Sequence, residues 1–238
     1  MWWKTFVLPK FKRRYFYFAI SALVIAALAV GLAEHAEWSK QDVPKPITRG
    51  NETKPKVAFA CNVFWGEEVL PGLLKVLAQN DVRITFFLGG SWVKKNPDLV
   101  KDMAAAGHEL GNHSYSHPHP NSLTKAQNQE QILQTEKLIL DLTGVKTRLY
   151  APPYGEYNND VLAAAREIGY TTIMWSIDTI DWQRPPQEKI KERVFSKLSN
   201  GAIILMHPTA PTLAALPELI SEIKRKGYTV TTVSDVLN

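Results

Sequence analysis

Four of the six histidines of this 238-residue chain lie between positions 108 and 119. Within Asn112-His113-Ser114-Tyr115-Ser116-His117, two imidazoles stand four residues apart. On a helix or helical turn that spacing puts both rings on one face, within reach of a single metal ion. Two solvated loop histidines fit so short a motif equally well. His108 and His119 suit structural or solvent-facing roles better. His207 follows the apolar run Ala202–Met206. It is either a satisfied core histidine or an acid–base group at the rim of a site. Asp178 and Asp181 flank a tight bend before Trp182. Each suits a turn cap, and each suits the orientation of His207 by accepting its ring N–H. Trp65, Trp175 and Trp182 offer flat apolar faces for sugar rings, while core packing accounts for at least one of them.

The elements that must position these residues alternate regularly from Lys56 onward. Short apolar runs at Val57–Cys61, Ile84–Leu88, Glu109–His113, Arg148–Ala151, Thr171–Ile177, Ala202–Met206 and Thr229–Val233 read as strands. Between them, Glu68–Gln79, Pro97–Ala106, Leu123–Leu142, Asn159–Ile168, Gln187–Leu198 and Leu213–Lys226 have helical period. Asn96 fits an N-cap before Pro97, and Gly107, Gly144, Gly169 and Gly227 fit helix stops. Continuous apolar strands under helices imply a parallel sheet. Its closure is either an open doubly wound sheet or a barrel; no GxGxxG follows the first strand, so a Rossmann reading lacks its signature. The expected fold class is α/β, with about seven parallel strands in either an open sheet or a barrel. In such a barrel the functional residues sit at the C-terminal strand ends. Asn62 to Gly66, His113 and His117, Ala151 to Gly155, Asp178 to Trp182 and His207 all fall there, so five separated segments converge on one rim.

Composition narrows the class. With 45% hydrophobic and 21% charged residues the chain has enough apolar surface for a core, which excludes a disordered protein. One cysteine, Cys61, excludes an internal disulfide framework and any CxxC site. The net charge of +5 resides in Lys4, Lys10, Lys12, Arg13 and Arg14, with no acid among residues 1–14; the remainder is formally neutral. Nucleic acid is therefore not an expected partner. The apolar stretch 15–33 carries no charge and follows that basic cluster. About 20 such residues cross a bilayer, and basic flanks stay cytoplasmic. The expected organisation is a cytoplasmic segment 1–14, a transmembrane or signal-anchor helix 15–33, a polar linker 34–55, and an extracytoplasmic domain 56–238. Ala27-Leu28-Ala29 and Gly31-Leu32-Ala33 keep a cleaved, secreted form open, although the length of the run favours an anchor.

Five ordered stretches resemble the polysaccharide deacetylase (NodB-like) family over about residues 56–236. They are Thr85-Phe86-Phe87, Gly107 to His117, Pro152-Pro153-Tyr154-Gly155, Trp175 to Trp182, and Ile203 to His207. The Trp65-Gly66 pair is similar to the sporulation-associated branch. The resemblance implies a distorted (β/α) barrel of about seven parallel strands, and metal-dependent removal of acetyl groups from peptidoglycan or chitin-like glycans at the cell wall. It also implies that His113 and His117 ligate a divalent, zinc-like ion, that His207 is the general acid oriented by Asp181, and that the Tyr154 N–H helps hold the oxyanion. Trp65, Trp182 and Tyr154 would meet the sugar. The sequence departs from the family where two adjacent aspartates close the first strand, one the base and the other the third metal ligand. Asn62 and Val63 stand there. Ala151 replaces the arginine that tethers the base. Asparagine takes no proton at neutral pH, and valine binds no metal. Two readings follow: a weak deacetylase, or a catalytically inactive glycan-binding relative.

Overall fold

The computed structural model describes Tyr17, Phe18, residues 20–27 and residues 45–238, and the chain divides into two compact units, Met1–Val43 and Pro44–Asn238. Residues 17–18 and 20–27 are helical. The rest of the expected span 15–33, the basic segment 1–14 and the first part of the linker lie outside the described residues. Among the described residues no helix is long and apolar enough to cross a membrane.

The second unit alternates strand and helix: β1 (Lys56–Val63), α1 (Leu70–Gln79), β2 (Thr85–Leu88), α2 (Gly90–Lys95), α3 (Pro97–Ala105), β3 (Glu109–Asn112), α4 (Lys125–Thr143), β4 (Leu149–Tyr150), α5 (Asn159–Glu167), β5 (Thr171–Thr172), β6 (Ile177–Asp178), α6 (Gln187–Phe195), β7 (Ile203–Met206), α7 (Ala210–Arg225), β8 (Thr229–Thr231) and α8 (Val233–Leu237). All strand pairs are parallel. The order is β5-β4-β3-β2-β1-β7-β6, with β8 paired to the first residues of β1, Lys56 to Ala58. The sheet curls into a partly open barrel. Its two end strands do not pair with each other. Residues of the expected linker join the gap instead: Ile47 donates its N–H to Thr172 O at 2.9 Å and accepts from Met174 N at 2.7 Å, while Arg49 bridges to Ala202. The end of that stretch therefore belongs to the fold.

Alternation along β1 separates two apolar layers, as the pleat requires. Val57, Phe59, Cys61 and Val63 pack under the helices with Leu70, Leu73 and Leu77. Ala58 and Ala60 face the barrel interior with Phe87, Ile173 and Ile203. Small residues there make room for Phe87. Gly111 does the same across the sheet, since a Cβ would lie 2.5 Å from Phe87 Cδ1.

Several local expectations need correction. The single strand Thr171–Ile177 is two short strands, because the chain turns out between Ile173 and Ser176 to pair with Ile47 and then with β7. Asn96 precedes α3 without a side-chain cap, and its Nδ2 instead donates to Trp92 O at 3.1 Å. α2 and α8 are additional; α8 starts where Thr232 caps Asp235 N, inside the expected last strand. α7 starts at Ala210 rather than Leu213, because Thr209 accepts from Thr212 N.

Candidate functional site

At the C-terminal ends of the strands, one cavity of about 380 Å³ is lined by Asn62, Phe64, Trp65, His113, His117, Tyr154, Gly155, Trp175, Asp178, Trp182, Leu205 and His207. Asn62, Trp65, His113, His117, Tyr154, Trp182 and His207 line it, Asp181 sits directly behind His207, and Val63 and Ala151 do not line it.

The histidine loop is built by its main chain. β3 delivers His113, whose N–H donates to Leu88 O at 2.9 Å. Asn112 Oδ1 accepts from Ser114 N, and Ser114 and His117 adopt positive φ of 62° and 55°. The pair therefore lies in a loop, not on a helical turn, and tight local turns bring the rings together with centroids 4.9 Å apart and planes at 70°. Gln131 on α4 pins the loop from outside, its Oε1 accepting from Tyr115 N, Ser116 N and Ser116 Oγ. His113 Nδ1 lies 2.7 Å from Ala151 O. That carbonyl fixes the proton on Nδ1 and leaves Nε2 as the free lone pair. Burial drives His113 down to about 3, helped by the neighbouring His117. Burial also lowers His117. Both are neutral imidazoles at pH 7.

Across the cavity stands the second unit of the site. Asp181 is fully buried. Its Oδ1 lies 2.8 Å from His207 Nδ1, and its Oδ2 accepts from His207 N and Thr212 Oγ1, both at 2.6 Å. The carboxylate orients the imidazole and leaves Nε2 for the cavity. Asp178 does not share this task; its Oδ1 accepts from Ile180 N at 2.8 Å. Ile180 is left-handed at φ 51°, an uncommon conformation for a β-branched residue. Thr179 holds this bend by donating to Leu205 O, while its own carbonyl accepts from Arg193.

Aromatic groups wall the opening. Trp65 stacks on His207 with planes 9° apart and centroids at 5.8 Å. Phe64 lies 4.8 Å from the His117 ring. Tyr154 meets His117 edge-on at 4.5 Å and His119 face-on at 4.1 Å. His119 also reaches Glu156 Oε1 at 3.0 Å, so it supports the wall. Tyr154 has φ 59°, and the next residue must be glycine, because a Cβ on Gly155 would lie 2.5 Å from Trp175 Cη2. Trp182 and Tyr154 are 53% and 57% exposed, as groups that meet a large ligand should be.

β1 supplies the departures. Asn62 lines the cavity. Val63 is wholly buried on the opposite face, in the layer under the helices. Cys61 shares that face, and burial pushes its thiol up. Glu67 does not reach the cavity, since its Oε2 accepts from Trp92 Nε1 at 3.2 Å. Among the described residues no group of three or more His, Cys, Asp or Glu side chains comes together to hold a metal ion. Two neutral imidazoles are one protein donor short of a catalytic zinc centre. The donor set present among the described residues does not fit the expected ion.

Sequence reasoning missed Gln131, Thr212 and the Ala151 carbonyl, and placed Phe64 on the rim without giving it a role. Thr212 was legible in principle, as the N3 partner of a Thr209 cap. The Ala151 carbonyl was not, because a main-chain acceptor leaves no mark on side-chain identity.

Comparison with known proteins gives the lineage. The family described as polysaccharide deacetylase matches residues 49–173. The uncharacterized protein YlxY of Bacillus subtilis (strain 168) is 47% identical over 195 residues, 82% of this chain and 61% of that protein. The peptidoglycan-N-acetylglucosamine deacetylase PgdA of Listeria monocytogenes is 37% identical over 199 residues, 82% of this chain and 40% of that protein. The chain thus spans less than two thirds of the length of either. Among solved structures, wild-type BA3943 from Bacillus anthracis, described as a CE4 family pseudoenzyme, superposes with a TM-score of 0.80 at 42% identity, covering 82% of this chain and 69% of that one. A parallel α/β sheet of this topology, four of the five ordered motifs on one rim with the fifth in strand β2, and these matches together place the chain in the polysaccharide deacetylase family.

Proposed function

We propose that this chain is a polysaccharide deacetylase-like protein of the cell envelope. In this reading it takes an N-acetylated glycan such as peptidoglycan into the cavity and hydrolyses its acetyl groups only weakly. The observation that carries the reading is the meeting of the His207–Asp181 pair, the two neutral imidazoles and the aromatic walls around one opening. PgdA, a peptidoglycan deacetylase by name, supports the glycan class. His207 is the general acid for the departing nitrogen, held by Asp181 through Nδ1, and the Tyr154 N–H is an oxyanion donor. Asn62 cannot serve as the base. General acid–base help is worth about 10²–10⁴-fold, so its loss alone leaves a slow reaction. A zinc-like cation would find His113 and His117 and no third protein ligand.

The second reading is a catalytically inactive glycan-binding protein. Asn62 at the base position and the similarity to a described pseudoenzyme favour it. The basic segment 1–14 and apolar stretch 15–33 support a single-pass membrane anchor with the domain outside the cytoplasm, and Trp65-Gly66 supports the sporulation-associated branch.

The test is acetate release from N-acetylglucosamine oligomers and from peptidoglycan, with and without added zinc, beside glycan pull-down. Slow release abolished by His207→Ala supports weak hydrolysis. Binding without release supports the second reading. Neither binding nor release overturns both.

A further inference from the structure

Among the described residues Asp178 is the only carboxylate that lines the cavity, and the chemistry assigned above leaves it unused. On β6 its neighbour Ile177 packs under the helices, so Asp178 points the other way, into the barrel, in register with Leu205 on β7. One oxygen is engaged: Oδ1 accepts from Ile180 N and holds the tight bend. The other, Oδ2, makes no hydrogen bond to the described protein, and in this half-buried side chain it is not sealed from the cavity. No lysine or arginine is among the residues lining the cavity, and His207 is already paired with Asp181, so the charge of Asp178 has no basic partner there. His113 adds a second acceptor to the same cavity. Its Nδ1 is tied to the Ala151 carbonyl, and Nε2 keeps its lone pair. The wall is thus anionic and rich in acceptors, and the indole faces of Trp65, Trp175 and Trp182 frame it. Those features together suit a small cation that carries only donors.

We propose that the cavity holds the free amine of a deacetylated glycan unit, a 2-amino-2-deoxy sugar, with its ammonium on Asp178 Oδ2. This rests on the glycan reading given above and names the unit that is bound. At neutral pH such an amine is an ammonium, with three N–H donors and no acceptor. A hydrogen bond between two ionised groups is about twice as strong as one between neutral groups. An acetamido group is uncharged and brings a single N–H donor, so it gains less from Asp178 and leaves the carboxylate without a counter-charge. The tryptophan faces add to the preference, because they attract a cation and not a neutral amide. Hydrolysis of the N-acetyl amide is the class of reaction that supplies these units. With asparagine at the base position, the chain binds the product of that reaction class better than its substrate.

The experiment measures binding of chitopentaose and of its fully deacetylated counterpart to the full-length protein in detergent, by calorimetry, with thermal melts as a check on folding. The parent should bind the deacetylated oligomer more tightly by about tenfold or more. Asp178→Asn keeps an oxygen for Ile180 N and removes the charge; it should lose that preference while its affinity for chitopentaose stays within about twofold. Asp178→Ser also keeps an oxygen acceptor and decides the matter if the asparagine variant does not fold. Asp102→Asn, at an exposed residue of α3 outside the cavity, removes the same charge and should leave the preference unchanged. A parent that binds chitopentaose as tightly as the deacetylated oligomer, a preference that survives in a folded Asp178 variant, or an equal loss in Asp102→Asn overturns the role of Asp178 and leaves the glycan reading intact. A parent that binds neither oligomer overturns both.

Discussion

Val63→Asp is the most direct probe of why this chain lacks a third metal donor. The family position carries a carboxylate, but here the side chain points away from the cavity, wholly buried in the layer that includes Leu70, Leu88 and Val93. Removing the valine forfeits about 1.5–3 kcal/mol of apolar burial. A carboxyl group placed there must stay protonated. Raising its pKa from about 3.9 past 7 costs about 4 kcal/mol at pH 7, at about 1.36 kcal/mol per unit. Together the loss is about 6 kcal/mol, comparable to the whole stability of many domains. The sign with pH is distinctive. A raised carboxyl pKa means that the unfolded chain releases the proton first, so the penalty grows as pH rises above about 4 and vanishes below it. Urea unfolding followed by tryptophan fluorescence, parent against variant, should show about 6 kcal/mol of difference at pH 7 and about 2–3 kcal/mol at pH 4. A difference under about 1 kcal/mol at pH 7, or one that does not change with pH, would show that position 63 reaches the cavity or water and would refute the reasoning.

Other outcomes follow from the same geometry. Thr212→Val removes the hydroxyl donated to buried Asp181 Oδ2 and should cost about 1–3 kcal/mol in urea unfolding; no loss would mean that the carboxylate is held without it. Trp182→Ala, at a half-exposed ring, should leave stability within about 0.5 kcal/mol while reducing glycan pull-down severalfold, and equal pull-down would remove Trp182 from the binding surface. Burial, with Arg83 nearby, lowers His108 to about 4, and its neutral Nδ1 accepts from Ile84 N. The unfolded imidazole protonates first, so stability should fall as pH drops from about 6.5 toward 4. His108→Asn should make that fall shallower, and an identical pH dependence of Tm would show that His108 is not its source.

The parts of this molecule that the sequence announces are those in which side-chain type dictates geometry. The apolar runs of β1 and β7, the Pro97 start of α3 and the glycine stops give the alternating architecture, and the clustering of polar groups after strands gives the rim. His207 with Asp181 is legible because a buried imidazole needs a partner and two aspartates stand near. The choice between Asp178 and Asp181 is not, because a tight turn with Ile180 left-handed decides which carboxylate turns inward. The His113 and His117 rings do come together, but by a loop with two positive φ angles, held by the local Asn112 bond and by bonds from Gln131, Leu88, Gly90 and Ser91, and spacing alone does not show which local geometry serves. The joining of Ile47 and Arg49 to the barrel is hidden because isolated bridges in a proline-rich stretch carry no period.

The carbonyl of Ala151 that steadies His113 has a consequence for how such a protein can change over time. Its grip belongs to the peptide unit, so mutation at 151 can discard one side chain for another while the imidazole keeps its aim. Reactive groups can thus be lost one codon at a time while the chamber that once served them survives intact, ready for recognition alone or for a later return to catalysis.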